Sequence, residues 1–218
     1  MLWEKEGILV RSERSFLNVW RKCFMKDSDK PDVVIDAALE LIAEHGFHGV
    51  SMSMIAKKAD VGMGTIYRYF SSKDVLISEM YKVVENRIYI AVVNGYSKEK
   101  TVKERFFHLV STLIKYLINH PLEFRYMEQY HNSPYGVAFR KNLVLNHHNG
   151  ELDIFKELFL EGIRQNVLKD LPILMLFSLG LGPMVPLTRD HIFSLSLLDD
   201  ELIDKAVSAC WDGVRRHT

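Results

Sequence analysis

The chain is poor in the residues that mark whole classes of protein. It has two cysteines in 218 residues, Cys23 and Cys210. They supply neither the number for a disulfide framework nor the spacing of a metal site, so a reducing, cytoplasmic location is expected. Six prolines and 12 glycines, no repeat and no low-complexity tract exclude a disordered or fibrous chain and leave an ordered globular one. Lysine plus arginine number 28, as do aspartate plus glutamate. That balance excludes a protein coated in basic residues, though not a local positive face. No nucleophile elbow, phosphate loop or paired catalytic motif is present, and no enzyme is expected. Of the nine histidines, His147 and His148 are adjacent and diverge by about 100° on a helix, while His120, His131 and His191 lack a partner four residues on. Neither a metal nor a cofactor is expected. No segment alternates at period two, which excludes a sheet and leaves an all-α fold.

One long uncharged run does occur, over residues 171–188, but its 18 residues sit at the short limit for a membrane span. Gly180, Gly182, Pro183 and Pro186 crowd its second half, so a buried interface helix is expected and membrane association is not.

What the chain does have is concentrated in residues 51–70, SMSMIAKKADVGMGTIYRYF, with Lys73 just beyond. The spacing predicts two short helices around a tight turn. The first starts at a Ser51 cap and turns Ile55, Ala56 and Ala59 inward; the second turns Ile66 and Phe70 inward. The second presents Met63, Gly64, Thr65, Tyr67, Arg68 and Tyr69 on about two turns, too short to be stable alone. Hydroxyls and cations of this kind suit phosphate oxygens, and Gly64 would let the backbone approach a groove wall. A helical hairpin that merely caps a core reads equally well from these residues.

The longer run over residues 37–76 resembles the DNA-binding signature of the TetR/AcrR family of one-component transcriptional regulators. The residues that carry the resemblance are Ala37 and Ala38, Gly46 and Phe47, Ser51, Ile55 and Ala56, Ala59, Val61, Gly64 to Tyr67, Tyr69 and Phe70, Ser72 and Lys73, and Leu76. Two positions depart from it. Asp60 stands where the family usually has the turn glycine, which asks an aspartate to take a left-handed conformation. Gly62 stands where a serine usually caps the recognition helix.

The resemblance implies an N-terminal three-helix helix-turn-helix domain over 31–77 and a helical effector-binding and dimerisation domain over 78–218, after an extension over 1–30. That extension either forms an amphipathic helix over 12–24 or precedes a natural start at Met25. Double-stranded operator DNA is the implied partner. By resemblance Ser51, Tyr67, Tyr69 and Lys73 would hold phosphates, and Ser53, Met63, Gly64, Thr65 and Arg68 would reach bases or flanking phosphates. Lys57, Lys58, Arg68 and Lys73 would make the positive face, with Asp32, Asp36, Glu40 and Glu44 of the first helix turned away from it. A homodimer is implied through residues 170–182 and 199–215.

A small apolar or amphipathic effector is the second implied partner, acting on a ligand-responsive regulator that is most often a repressor. Its candidate pocket residues are Phe106, Phe107, Tyr126, Met127, Tyr130, His131, Phe155, Phe159 and Phe177, with Arg125, Glu128, Gln129, His131 and Asn132 as polar groups beside them. The alternative is a helical ligand-binding or interaction module of the same shape without DNA binding, supported by the Asp60 and Gly62 departures alone.

Overall fold

A computed structural model describes residues 30–144 and 153–216. The expected helix over 12–24, Cys23, the adjacent His147 and His148, and the turn at Asn149 and Gly150 lie outside the described residues. Among the described residues the chain is all-α, with no strand beyond an isolated antiparallel bridge between Leu168 and Arg215.

Helix α1 (Lys30–Gly49) breaks at Gly46, whose φ of 72° and ψ of 169° lie where only glycine sits without strain. Helices α2 (Met52–Lys58) and α3 (Met63–Tyr69) follow, then the long α4 (Lys73–Val93). Ser51 and Ser72 cap α2 and α4 by accepting the N–H of Met54 and of Val75, each at 3.2 Å. Helix α5 (Val102–Asn119) opens on a reciprocal cap: Thr101 Oγ1 accepts the Glu104 N–H at 3.3 Å and the Glu104 carboxylate accepts the Thr101 N–H at 2.9 Å. Prolines open α6 (Pro121–His131) and α7 (Pro134–Val144), where a missing N–H leaves no gap in the helix. Then come α8 (Asp153–Arg164), α9 (Ile173–Gly180), α10 (Met184–Ile192) and α11 (Asp200–Val214).

Two expected helices come out differently. Periodicity carries the helix after residue 151 on to Leu168, but α8 stops at Arg164. Asn166 takes a φ of 56°, and the N–H groups of Val167 and Leu168 turn back to the Gly162 carbonyl at 2.9 and 3.0 Å. The uncharged run, expected as one helix over 170–182, is two. Pro172 caps α9, the chain turns at 181–183, and α10 begins after Pro183 with Pro186 in its first turn, where its lack of a donor is tolerated.

Helix α5 is the axis of the C-terminal part, touching α4, α6, α8, α10 and α11, while α6 lies along α1. One continuous apolar core runs from Val34 and Ile42 in α1 through Phe106 and Leu109 to Val207 and Trp211 in α11. Within it Arg105 is buried, and its guanidinium donates to both oxygens of Glu161 at 2.8 Å and to the Tyr96 hydroxyl at 2.9 Å. A buried cation is tolerated when paired and hydrogen-bonded in this way, and here the pairing ties α5 to α8. No described helix is long and apolar enough to cross a membrane.

Candidate nucleic-acid interface and effector cavity

Helices α2 and α3 present two faces because their apolar residues fall at helical spacing. Ile55, Ile66 and Phe70 are at most 1% exposed, and the pair packs on α1. On the other face Met63 and Tyr67 are 38% and 50% exposed, and Gly64 and Arg68 are exposed beside them. The turn between the helices rests on Asp60 at φ 53°, the left-handed conformation that the family resemblance implies there. Gly62 caps α3 without a side-chain hydrogen bond, as its lack of a side chain requires. Nothing lies within 4 Å of a β-carbon placed on Gly64, so this face is open where the backbone is barest.

The charges are arranged otherwise than the sequence suggests. Glu40 is not turned away: its carboxylate meets Lys58 Nζ at 2.6 Å, and that pairing raises the Lys58 pKa. Lys73 directs its ammonium at the carbonyls of Phe47 and Val50, fastening the start of α4 to the end of α1. Lys57 and Arg68 stay exposed on this side. Arg68 donates to the Tyr69 hydroxyl at 2.7 Å and stacks 4.8 Å above that ring, which sets the plane of its guanidinium. Ser51 Oγ is 2.8 Å from Ser53 Oγ and also accepts the cap bond, so this hydroxyl pair is already ordered at the N-terminus of α2. Thr65 is half-buried on the outward helix.

The second feature is a cavity of about 370 Å³ lined by residues of α4 to α10. Its walls are aliphatic and aromatic: Ile88, Leu113, Leu117, Phe124, Met127, Phe139, Phe155, Leu174, Phe177, Leu181 and Val185 among them. Of the nine residues that the sequence suggests for a pocket, Met127, His131, Phe155 and Phe177 line it. The other five do not. Phe106 and Phe159 are wholly buried in the core, and Phe107 packs on Trp211 with ring centroids 6.5 Å apart. Tyr126 donates to the Ile77 carbonyl at 2.7 Å, and Tyr130 stacks between Tyr81 and Tyr135. Helical period places all of these inward but cannot separate a core-facing ring from one that faces a void. The aliphatic wall carries no signal of its own in the sequence.

Polar groups also line the cavity. Glu128 is held by Arg189 through its Nε at 3.0 Å and a second, shorter contact. Asn132 donates to the Glu128 carbonyl at 2.9 Å. Arg140 joins the lining from α7, and Thr188 from α10. Two of the suggested polar residues lie elsewhere: Gln129 points into α1, and Arg125 stacks on Phe193 at 5.3 Å.

His131 is enclosed by Tyr81, Tyr130 and Phe139. Burial, and to a lesser degree the charge of Arg140, push its pKa down from 6.5 to about 4. The folded state therefore favours the neutral ring. Its contribution to stability is complete above pH 6.5 and is lost as the pH falls from there toward 4. The full loss is on the order of 3 kcal/mol. Urea titrations at pH 7 and pH 5 should show a destabilisation at pH 5 that shrinks in His131→Phe. An equal loss in both proteins would place the acid-sensitive group elsewhere.

An exposed two-turn helix packed on α1 and α2, followed by a helical domain with an apolar cavity, is the arrangement of a helix-turn-helix regulator. Residues 34–80 match the family model of bacterial regulatory proteins, tetR family, and residues 101–215 match that of the Tetracyclin repressor-like C-terminal domain. The chain belongs to the TetR family, and it is a DNA-binding regulator, not an enzyme. It is 30% identical over 138 residues to the fatty acid metabolism regulator protein of Bacillus subtilis, covering 63% of this chain and 70% of that one. A TetR family protein of Vibrio parahaemolyticus superposes with a TM-score of 0.69 at 34% identity, over 87% of this chain and all of that one. FadR from Bacillus subtilis, solved in complex with stearoyl-CoA, superposes with a TM-score of 0.67 at 23% identity, over 83% of this chain and 97% of that one.

Proposed function

We propose that the protein is a cytoplasmic homodimeric repressor that leaves its operator when a ligand with a long apolar chain and an anionic end enters the cavity. Residues 31–77 act as the DNA-binding domain and residues 78–218 hold the effector and the dimer contacts. Each subunit lays α3 in a major groove, with half-sites roughly 34 Å apart. Ser51, Ser53, Met63, Gly64, Thr65, Tyr67, Arg68 and Tyr69 form the contact surface, while Lys73 acts chiefly by holding α4 to α1. The dimer forms through α9 and α11, on whose surfaces Met175, Leu179 and Leu202 expose 48%, 39% and 43% of their area. Apolar area in such a stripe favours a partner.

The observation that carries the effector reading is the cavity. It falls within the range of roughly 300–1,000 Å³ usual for small-molecule sites. Its walls are apolar almost throughout, and its polar lining is charged asymmetrically. Glu128 is already neutralised by Arg189, whereas Arg140 has no carboxylate beside it among the described residues. The neutral His131 ring adds a hydrogen-bond donor to that lining. A hydrocarbon chain with a carboxylate or phosphate end fits this distribution, and the stearoyl-CoA bound by a structural neighbour has that chemistry.

The test is fluorescence anisotropy of the purified protein on DNA upstream of its own gene, titrated separately with stearoyl-CoA, stearate and coenzyme A. Release by an acyl compound, but not by coenzyme A, is expected. Which acyl compound acts identifies the anionic end, and Arg140→Gln should raise the concentration needed by about tenfold. Operator binding that ignores both acyl compounds would refute this effector class.

A further inference from the structure

Helix α6 faces two ways, because residues two apart on an α-helix point about 200° from one another. Met127 and His131 stand in the cavity wall, and Gln129, between them, points the opposite way into α1. Its Nε2 donates to the Ile42 carbonyl at 2.9 Å and to the Ala43 carbonyl at 3.4 Å. Those carbonyls belong to the last turn of α1 before it breaks at Gly46. Six residues earlier in both helices a second tie occurs: Arg87 of α4 reaches Asp36 on α1 at 2.9 Å and Glu123 on α6 at 3.1 Å.

The Gln129 amide is not an ordinary packing group. Its Oε1 is buried without a hydrogen-bond partner and lies 3.6 Å from where a β-carbon on Gly46 would stand. A buried acceptor left unpaired is unfavourable, so the hydrogen bonds made by the other end of the amide have to offset it. What the amide adds is its donor on the end of α1. Beyond Gly46 the chain passes through the carbonyls gripped by Lys73 directly to the Ser51 cap of α2.

We infer that Gln129 is the positioning residue that couples cavity occupancy to the DNA-facing helices. A ligand pressing on Met127 and His131 turns α6 about the Arg87 tie. Gln129 carries that turn into the 42–46 end of α1 and from there into α2 and α3. On this route α4 serves as the fulcrum and not as the lever. The inference rests on the effector reading above, since an occupied cavity is what turns α6.

Gln129→Met keeps the length and removes the donor together with the orphan acceptor. Without any ligand, hydrogen–deuterium exchange across residues 39–49 should be about fivefold faster in the variant, with residues 122–131 unchanged. Operator and stearoyl-CoA affinities, each measured alone, should stay within about twofold of wild type. Saturating stearoyl-CoA should then weaken operator binding about tenfold or more in wild type and less than about threefold in the variant. A merely structural role would lower operator affinity and melting temperature while leaving that ratio intact. Equal release in the two proteins overturns the inference. If neither stearoyl-CoA nor stearate releases even the wild type, the effector reading fails on its own, and unchanged exchange across 39–49 would still overturn the coupling.

Discussion

Arg68→Ala should weaken operator binding by about 30-fold or more if, in the proposed dimer, each Arg68 makes a bidentate base contact, since each such contact is worth roughly 1–3 kcal/mol. The side chain is exposed on α3, so its loss should leave folding within about 0.5 kcal/mol of wild type. Its hydrogen bond and stacking contact with Tyr69 hold the guanidinium plane before DNA arrives. That preorganisation lowers the entropy lost on binding, and it makes lysine a poor replacement, since an ammonium has neither the plane nor the fork. Lys57→Ala is the control. A phosphate contact there would weaken binding evenly across sequences and reduce the salt slope by about one per site. Anisotropy on the operator and on a scrambled duplex, across a salt series, separates the two. If Arg68→Ala holds the operator as tightly as wild type, the outward face of α3 does not read DNA.

Phe106→Ala should destabilise the protein by about 3–5 kcal/mol, whereas Phe177→Ala should cost about 1–2 kcal/mol. Phe106 is 0% exposed and packed on Trp211 and Phe159, with ring centroids at 5.4 and 6.3 Å. Its Cε2 lies 3.3 Å from where a β-carbon on Gly180 would stand, so the neighbouring helix is already close and the hole left by the ring has little to fill it. Against a total stability of about 5–15 kcal/mol such a loss is severe. Phe177 meets Phe159 edge-on at 5.2 Å but turns its other side to the cavity, so truncation enlarges an existing space instead of opening a new one. Its larger effect should fall on the acyl probe, whose apolar chain loses a wall. Urea unfolding at fixed protein concentration, paired with probe titration, measures both. Equal destabilisation by the two substitutions would mean that Phe177 sits in closed core.

Those two rings show where reading the sequence stops. Both lie at inward helical positions in aromatic-rich segments, and from the sequence both are pocket candidates. Which ring meets a neighbour and which meets a void depends on the relative placement of α5, α8 and α9, set by contacts between different helices that no local spacing specifies. The same holds for charge. Lys58 reads as part of a positive face, and Lys73 by resemblance as a phosphate ligand, because nothing local opposes those uses. Their partners, Glu40 on one side and the Phe47 and Val50 carbonyls on the other, come from α1 and the segment that follows it.

Short-range chemistry makes legible in the sequence the all-α class, the Ser51 cap, the outward face of α3 and, through the family resemblance, the left-handed Asp60. Each depends on residues within about two turns of one another; apolar spacing records the helices and their faces, and residue type records the cap. Tertiary structure alone decided the division of 170–192 into α9 and α10, the cavity wall, the pairing of Lys58 and the grip of Gln129 on α1. These depend on which helices meet and at what angle, a choice made by the packing of whole faces, and no local spacing encodes it.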